Sequence, residues 1–294
     1  MNLLNKFENI EIKNDARVPA EDLKVIEGYS KEFEEYRNRV LQYELIFKNK
    51  PLIYPSYNDD KIGSNYKQER FWVRFYEEFM NESQDFISKI IRYFKNKYQI
   101  QLENNFKKKG KEYNTCRKIE SEERLNFYKN FTYNDVLDSI FEQLGGFDLN
   151  SKAEQEIKEN MKKLCRNHRD KEKIKLGRNK ISLKDICIIT YDSIFKKYEI
   201  NYNYDDNLTT FINAINYFES GSVNISELNT IFYHNNGTGG INQEFIKNHI
   251  FEKIQLNFNK IKSIIFFKNR RIDIKFTNGQ YALEFARDYC GYIG

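Results

Sequence analysis

Residues 261–276, IKSIIFFKNRRIDIKF, decide the fold class. In Arg271-Ile272-Asp273-Ile274-Lys275-Phe276 charged and apolar residues alternate, a period of two that a strand turns to opposite faces. Residues 261–267 form an apolar run of strand length, and Lys268-Asn269-Arg270 supplies a turn between the two, so the stretch reads as a β-hairpin. Residues 280–289 return to helical spacing and read as a closing helix. Most of the chain before them is helical in period. The reading is therefore an α+β fold, predominantly helical, with long N-terminal helices and a C-terminal α/β part holding the hairpin and closing helix.

The helical signal is strongest near the N-terminus. Ile26, Tyr29, Phe33, Tyr36, Val40, Tyr43 and Phe47 alternate spacings of three and four, which places them on one stripe of a long helix. Pro51 and Pro55 stop that helix, and residues 56–65 read as a connector. A second long helix follows over residues 66–98, with Phe71, Phe75, Phe79, Phe86, Ile90 and Phe94 along one face, and two such helices could pair antiparallel. Residues 104–130 are polar and carry Lys107, Lys108, Lys109 and Lys111, which marks a boundary near Phe131. The expected organisation is a helical, aromatic-rich interaction region over residues 1–130 and an α+β domain over 131–294. In the latter, Thr132 precedes a helix that Gly145-Gly146 ends, and further helices are expected over 151–166 and 208–218. The S-x-x-D pair Ser182/Asp185 reads as the start of another, using Leu183, Ile186, Cys187, Ile194, Phe195 and Tyr198.

Composition narrows the class of function. Among 294 residues there are 24 Phe and 21 Tyr but only 3 His, 4 Cys and 1 Trp, so aromatic contact surface is abundant and catalytic equipment scarce. A 40% hydrophobic share supports a real core, and 48 basic against 43 acidic side chains leave a modest net +5. The scattered cysteines Cys116, Cys165, Cys187 and Cys290 read as free thiols of a reducing compartment. No signal-peptide h-region or membrane-length apolar run is present, so a cytoplasmic location is expected.

No catalytic or cofactor motif is completed. Cys165-x-x-His168 lacks the second ligand pair of a structural zinc site. The glycine loop 235–240 does not become a P-loop or a dinucleotide fingerprint, and Ser220-Gly221-Ser222 lacks the frame of a nucleophile elbow. Asp273-x-Lys275 has the spacing of one arm of a metal-dependent nuclease, but its neighbouring strand offers no second carboxylate. The helices flanking Gly145-Gly146 have too long a turn for an ordinary helix-turn-helix. The expectation is a non-enzymatic chain with no cofactor and no metal.

Two groups remain as contact candidates. Residues 158–184 hold eight Lys and three Arg against three acids, a local excess of +8 compared with +5 for the whole chain. From this segment Lys162, Lys163, Arg166, Arg169 and Lys171 are candidates for gripping phosphates or an acidic protein surface. The second group is the stripe Tyr29, Phe33, Tyr36, Val40 and Tyr43, a candidate for self-association or partner capture because Tyr tolerates a wet interface.

In its size, its Asn/Lys/Ile/Tyr-rich composition, its long aromatic N-terminal helices and its α+β remainder, the chain resembles the phage-encoded anti-defence proteins that inhibit the bacterial Gabija system. That resemblance implies a stoichiometric inhibitor in the cytoplasm of an infected bacterium. It would form a homo-oligomer and wrap the Gabija nuclease and helicase subunits, blocking DNA binding or cleavage. Separately, GRNKISLKDI (177–186) and FFKNRRIDIKFTNGQYALEFARDYCG (266–291) resemble the C-terminal part of an uncharacterised domain of phage and mobile-element proteins, in which a glycine commonly follows the Lys-Asn turn. Here Arg270 takes that place. The alternative reading is a nucleic-acid-binding accessory protein of a phage or mobile element that uses residues 158–184.

Overall fold

The computed structural model describes residues 17–49, 64–106, 126–166, 174–201, 205–222, 227–234 and 240–293, the side chains of 47–49 and 64–74 excepted. The chain divides into two compact units. One is formed by residues up to Asn96 with Gln101–Asp148, the other by Lys97–Ile100 with Leu149–Gly294. The division thus falls one helix later than the boundary expected near Phe131. The reason is visible in the first unit's core, where the Phe131 ring lies 5.6 Å from Phe33, 5.7 Å from Phe86 and 5.9 Å from Phe127. A residue at the centre of an aromatic cluster cannot begin a separate domain.

The first unit is built on α1 (Ala20–Asn49) and α2 (Ser64–Tyr98). Pro19 precedes α1, and Glu21 and Asp22 sit in its first turn, where carboxylates favour the helix dipole. The two helices meet antiparallel. Asp22 accepts a hydrogen bond from the Tyr93 hydroxyl at 2.6 Å, the Phe33 and Phe86 rings stack at 4.5 Å, Tyr36 stacks on Phe79, and Glu44 accepts from the Tyr76 hydroxyl at 2.9 Å. Numbers rise along α1 as they fall along α2. Helix α3 (Tyr133–Gln143) buries Val136, Leu137, Ile140 and Phe141, as its spacing predicts. Its exit is set by Gly145 and Gly146, whose φ of +62° and +90° are costly for any side chain with a Cβ.

In the second unit the sequence builds helix on one side of an antiparallel sheet. Its helices are α4 (Leu149–Cys165), α5 (Asp205–Ser220), α6 (Glu227–Phe232), α7 (Gln243–His249) and the closing α8 (Gly279–Asp288). Strands β1 (Ile174–Leu176), β2 (Lys180–Lys184), β5 (Ile254–Gln255), β6 (Ile261–Phe266) and β7 (Arg271–Phe276) form a five-stranded sheet in the order β1-β2-β7-β6-β5. Strands β3 (Ile189–Asp192) and β4 (Lys197–Ile200) make a separate two-stranded hairpin. On the inner face of the large sheet Ile181, Leu183, Ile264, Phe266, Ile272, Ile274 and Phe276 are buried. Phe218 meets Phe276 and Phe285 edge-on, Phe211 meets Phe266, and Phe285 meets Phe276, so α5 and α8 close that face. Glu219 fastens the end of α5 to the sheet: its carboxylate accepts from the backbone N–H groups of Asn259, Lys260 and Ile261.

The hairpin at 261–276 and the closing helix form as expected. The helix expected from Ser182 does not. Lys180-Ile181-Ser182-Leu183-Lys184 alternates with a period of two, buries Ile181 and Leu183, and pairs with β7 as a strand; Asp185, at φ +57°, then turns the chain. The short period outweighed the S-x-x-D signal, and Ile194, Phe195 and Tyr198 became part of the β3–β4 hairpin.

Candidate functional site

The α1 stripe divides into two rows. Ile26, Phe33 and Val40, seven residues apart, are buried, the latter two at 7% exposure each. Asp22 before that row, Ser30 within it and Glu44 after it also point inward. Glu44 is held by Lys129 at 2.7 Å as well as by Tyr76, so the buried carboxylate is both paired and hydrogen-bonded. Tyr29 and Tyr36 are half-buried, and burial followed by the nearby Glu82 and Glu78 raises the phenol pKa of Tyr36 above its ordinary value. Tyr43 is 54% exposed, as are its neighbours Leu45 and Ile46 to a similar degree. Phe33 and Val40 are therefore core residues of their own unit and are withdrawn as contact candidates. The outward part of the stripe is its C-terminal end.

The basic segment is continuous in sequence but divided in space. Lys162 is half-buried and Lys163 and Arg166 are exposed on α4; Arg169 and Lys171 lie outside the described residues. The α4 cations face the end of α8. Lys158 stands over the Tyr289 ring, and the Asp288 carboxyl is held below its usual range by Arg287 first and then by Lys158 and Lys162. Lys175, Lys180 and Lys184 project instead from β1 and β2, onto the outer face of the sheet. Of the five basic contact candidates, the three described ones, Lys162, Lys163 and Arg166, thus share the end of α4, apart from the cations of β1 and β2.

That outer face was not foreseen. Antiparallel register sets Lys180 opposite Lys275, Ser182 opposite Asp273, Lys184 opposite Arg271, and Lys175 opposite Ser182. Five cations thus share one face with a single carboxylate. Asp273 is buried among them, 3.2 Å from Lys180 and 3.2 Å from Arg271, whose guanidinium in turn lies 4.1 Å from the Phe267 ring centroid. Like charges set directly opposite on a sheet cost stability, and Asp273 offsets part of that cost. The signal was present in the alternations K-I-S-L-K and R-I-D-I-K, but their register could not be read from either alone. Asp273 is also the acid of the nuclease-like Asp-x-Lys pair. Its close partners are cations, and the described residues contain no group of three His, Cys, Asp or Glu placed to hold a metal.

A second unforeseen surface is the β3–β4 hairpin. The Asp192 carboxylate accepts from the backbone N–H groups of Ile194 and Phe195 at 2.8 and 3.0 Å, which fixes the turn. One side of the hairpin is anchored, since Tyr198 meets Phe251 at 4.8 Å and Ile200 is buried. The tip is not: Ile194 is 83% and Phe195 70% exposed, and Tyr191 at 54% extends the apolar surface down one strand.

The remaining motifs resolve as follows. Cys165, Cys187 and Cys290 are free and buried, whereas Cys116 and His168 lie outside the described residues. Burial, then the charge of Asp205, pushes the Cys187 thiol up to about 12, and burial with a hydrogen bond to Cys165 pushes Cys290 well up. Such thiols stay protonated and are poor nucleophiles at neutral pH. Most of the glycine loop lies outside the described residues, and the helices flanking Gly145-Gly146 belong to different units. Among the described residues no helix is long and apolar enough to cross a membrane. No family model, curated protein or solved structure matches this chain.

Proposed function

We propose that this chain is a phage anti-defence protein that acts by stoichiometric contact, binding the bacterial Gabija nuclease–helicase complex and blocking its engagement or cleavage of DNA. The identity of the partner rests on the resemblance in size, composition and helical organisation. Action by contact, without chemistry, is supported chiefly by the β3–β4 hairpin, which spends a fixed turn on holding Ile194 and Phe195 in water. Exposed large apolar side chains rimmed by polar residues mark contact sites, and here Lys196, Lys197 and Glu199 provide the rim. Tyr43, Leu45 and Ile46 at the end of α1 are a second such place, suited to a further subunit of the same chain. The buried, protonated thiols and the cation-flanked Asp273 agree with a binding role.

Co-expression with the Gabija subunits tests the reading. The wild-type chain should co-purify with them and protect phage from the defence, and Ile194→Asp with Phe195→Asp should abolish both while the fold is kept. Undiminished defence in the presence of the wild-type chain, with no co-purification, would refute it.

A further inference from the structure

We infer that the outer face of the five-stranded sheet is a binding surface for the phosphate backbone of double-stranded nucleic acid. The face is formed by Lys175, Lys180, Lys184, Arg271 and Lys275, which three strands bring together from two distant parts of the chain. Helices close the opposite face, and Lys175, Lys180, Lys184 and Lys275 are all exposed. Side chains on one face repeat every ~6.6 Å along a strand, with neighbouring strands ~4.8 Å apart, so the cations form a regular array. Two cross-strand pairs, Lys180/Lys275 and Lys184/Arg271, set like charges directly opposite each other. A polyanion would remove the resulting repulsion.

The chemistry of the face selects among polyanions. Protein interfaces are depleted in Lys at their centres, and four of these five cations are Lys. Phosphate contacts, by contrast, are made by Lys, Arg and hydroxyl side chains, and Ser182 supplies a hydroxyl within the array. A lipid surface would favour an apolar group for insertion, but the exposed large apolar residues of the described chain are elsewhere. Single strands are usually held by free aromatic platforms. The nearest ring, Phe267, already carries the Arg271 guanidinium. A duplex gripped through its backbone, without base reading, is what remains. This inference is independent of the protein partner proposed above and would survive its failure.

The test uses the full chain and a labelled random-sequence duplex of about two helical turns, titrated by fluorescence anisotropy between about 50 and 200 mM salt. Binding should weaken steeply with salt, with a log–log slope of about −4.5 for five phosphate contacts. Lys184→Gln with Lys275→Gln should weaken binding roughly tenfold or more and make the slope shallower by about 2. The same variant should melt no lower than wild type, because each substitution relieves an opposed like-charge pair while Lys180 and Arg271 stay paired with Asp273, and this separates lost binding from lost folding. Lys162→Gln with Arg166→Gln on α4 should leave the slope unchanged. Failure of the wild-type chain to bind the duplex at the low-salt end would overturn the inference. So would loss of binding in the α4 variant alone, or polyglutamate binding as tightly as the duplex, which would reassign the face to an acidic protein.

Discussion

Helix α1 and the β3–β4 hairpin both carry regularly spaced aromatic residues, and they dispose of them in opposite ways. Along α1, a facing helix runs antiparallel for most of its length, so each seventh residue is taken into a seam that also absorbs Asp22 and Glu44. The hairpin has only two strands, and one row of it finds cover against Phe251. Its tip extends past that support. Aromatic content alone therefore does not locate a contact surface. What decides is whether a neighbouring element exists to receive the rings.

Substitutions can break that contrast. The largest effect is expected in the seam: Phe33→Ala removes a ring stacked on Phe86 and touching Phe131, and should cost about 3–5 kcal/mol, read as a lower midpoint in denaturant. Leu45→Ala, only twelve positions along the same helix, should change stability by less than about 0.5 kcal/mol. Equal losses from both would mean that the buried and exposed sides of α1 are not distinct.

A smaller effect is expected where the two resembling C-terminal segments meet. A Cβ at Gly279 would stand 2.4 Å from the Arg178 carbonyl oxygen, at the start of α8 beside the β1–β2 turn. Gly279→Ala should therefore destabilise the second unit by about 1–3 kcal/mol, because backbone must move to admit it. Urea unfolding of the full chain would show it, and an unchanged midpoint would mean the close approach relaxes freely. The smallest effect has the opposite sign. Arg270 adopts φ +65° in the β6–β7 turn, where the Phe267 N–H donates to the Arg271 carbonyl at 2.9 Å. Arg270→Gly should raise stability by about 1 kcal/mol, since the left-handed cost exceeds the worth of an exposed 3.8 Å pairing with Asp185. A lower melting temperature in that variant would show that the ion pair matters more than the backbone strain.

These residues also show which features the linear pattern carried. The α1–α2 pair, α3, α4, α5, the 261–276 hairpin and α8 were legible because each sustains one period long enough to reveal a buried face. The β3–β4 hairpin was misread because Ser182 and Asp185 imitate a helix start, while the deciding alternation spans just Lys180–Lys184. The outer basic face was illegible for another reason. Lys180 and Asp273 are 93 residues apart and meet only through strand register, which composition does not encode. The +8 segment drew notice to residues 158–184 but joined side chains that α4 and the sheet project in different directions. Phe131 failed as a boundary because its own ring packs against Phe33 and Phe86 in the first unit's aromatic core.

Action by contact through the hairpin is tested most directly by size-exclusion chromatography with light scattering on the full chain mixed with purified Gabija complex. Co-elution at fixed stoichiometry is expected for the wild-type chain, and separate elution when Ile194 and Phe195 are both replaced by Asp. Separate elution of the wild-type chain, or unimpaired co-elution of the hairpin variant, would contradict it.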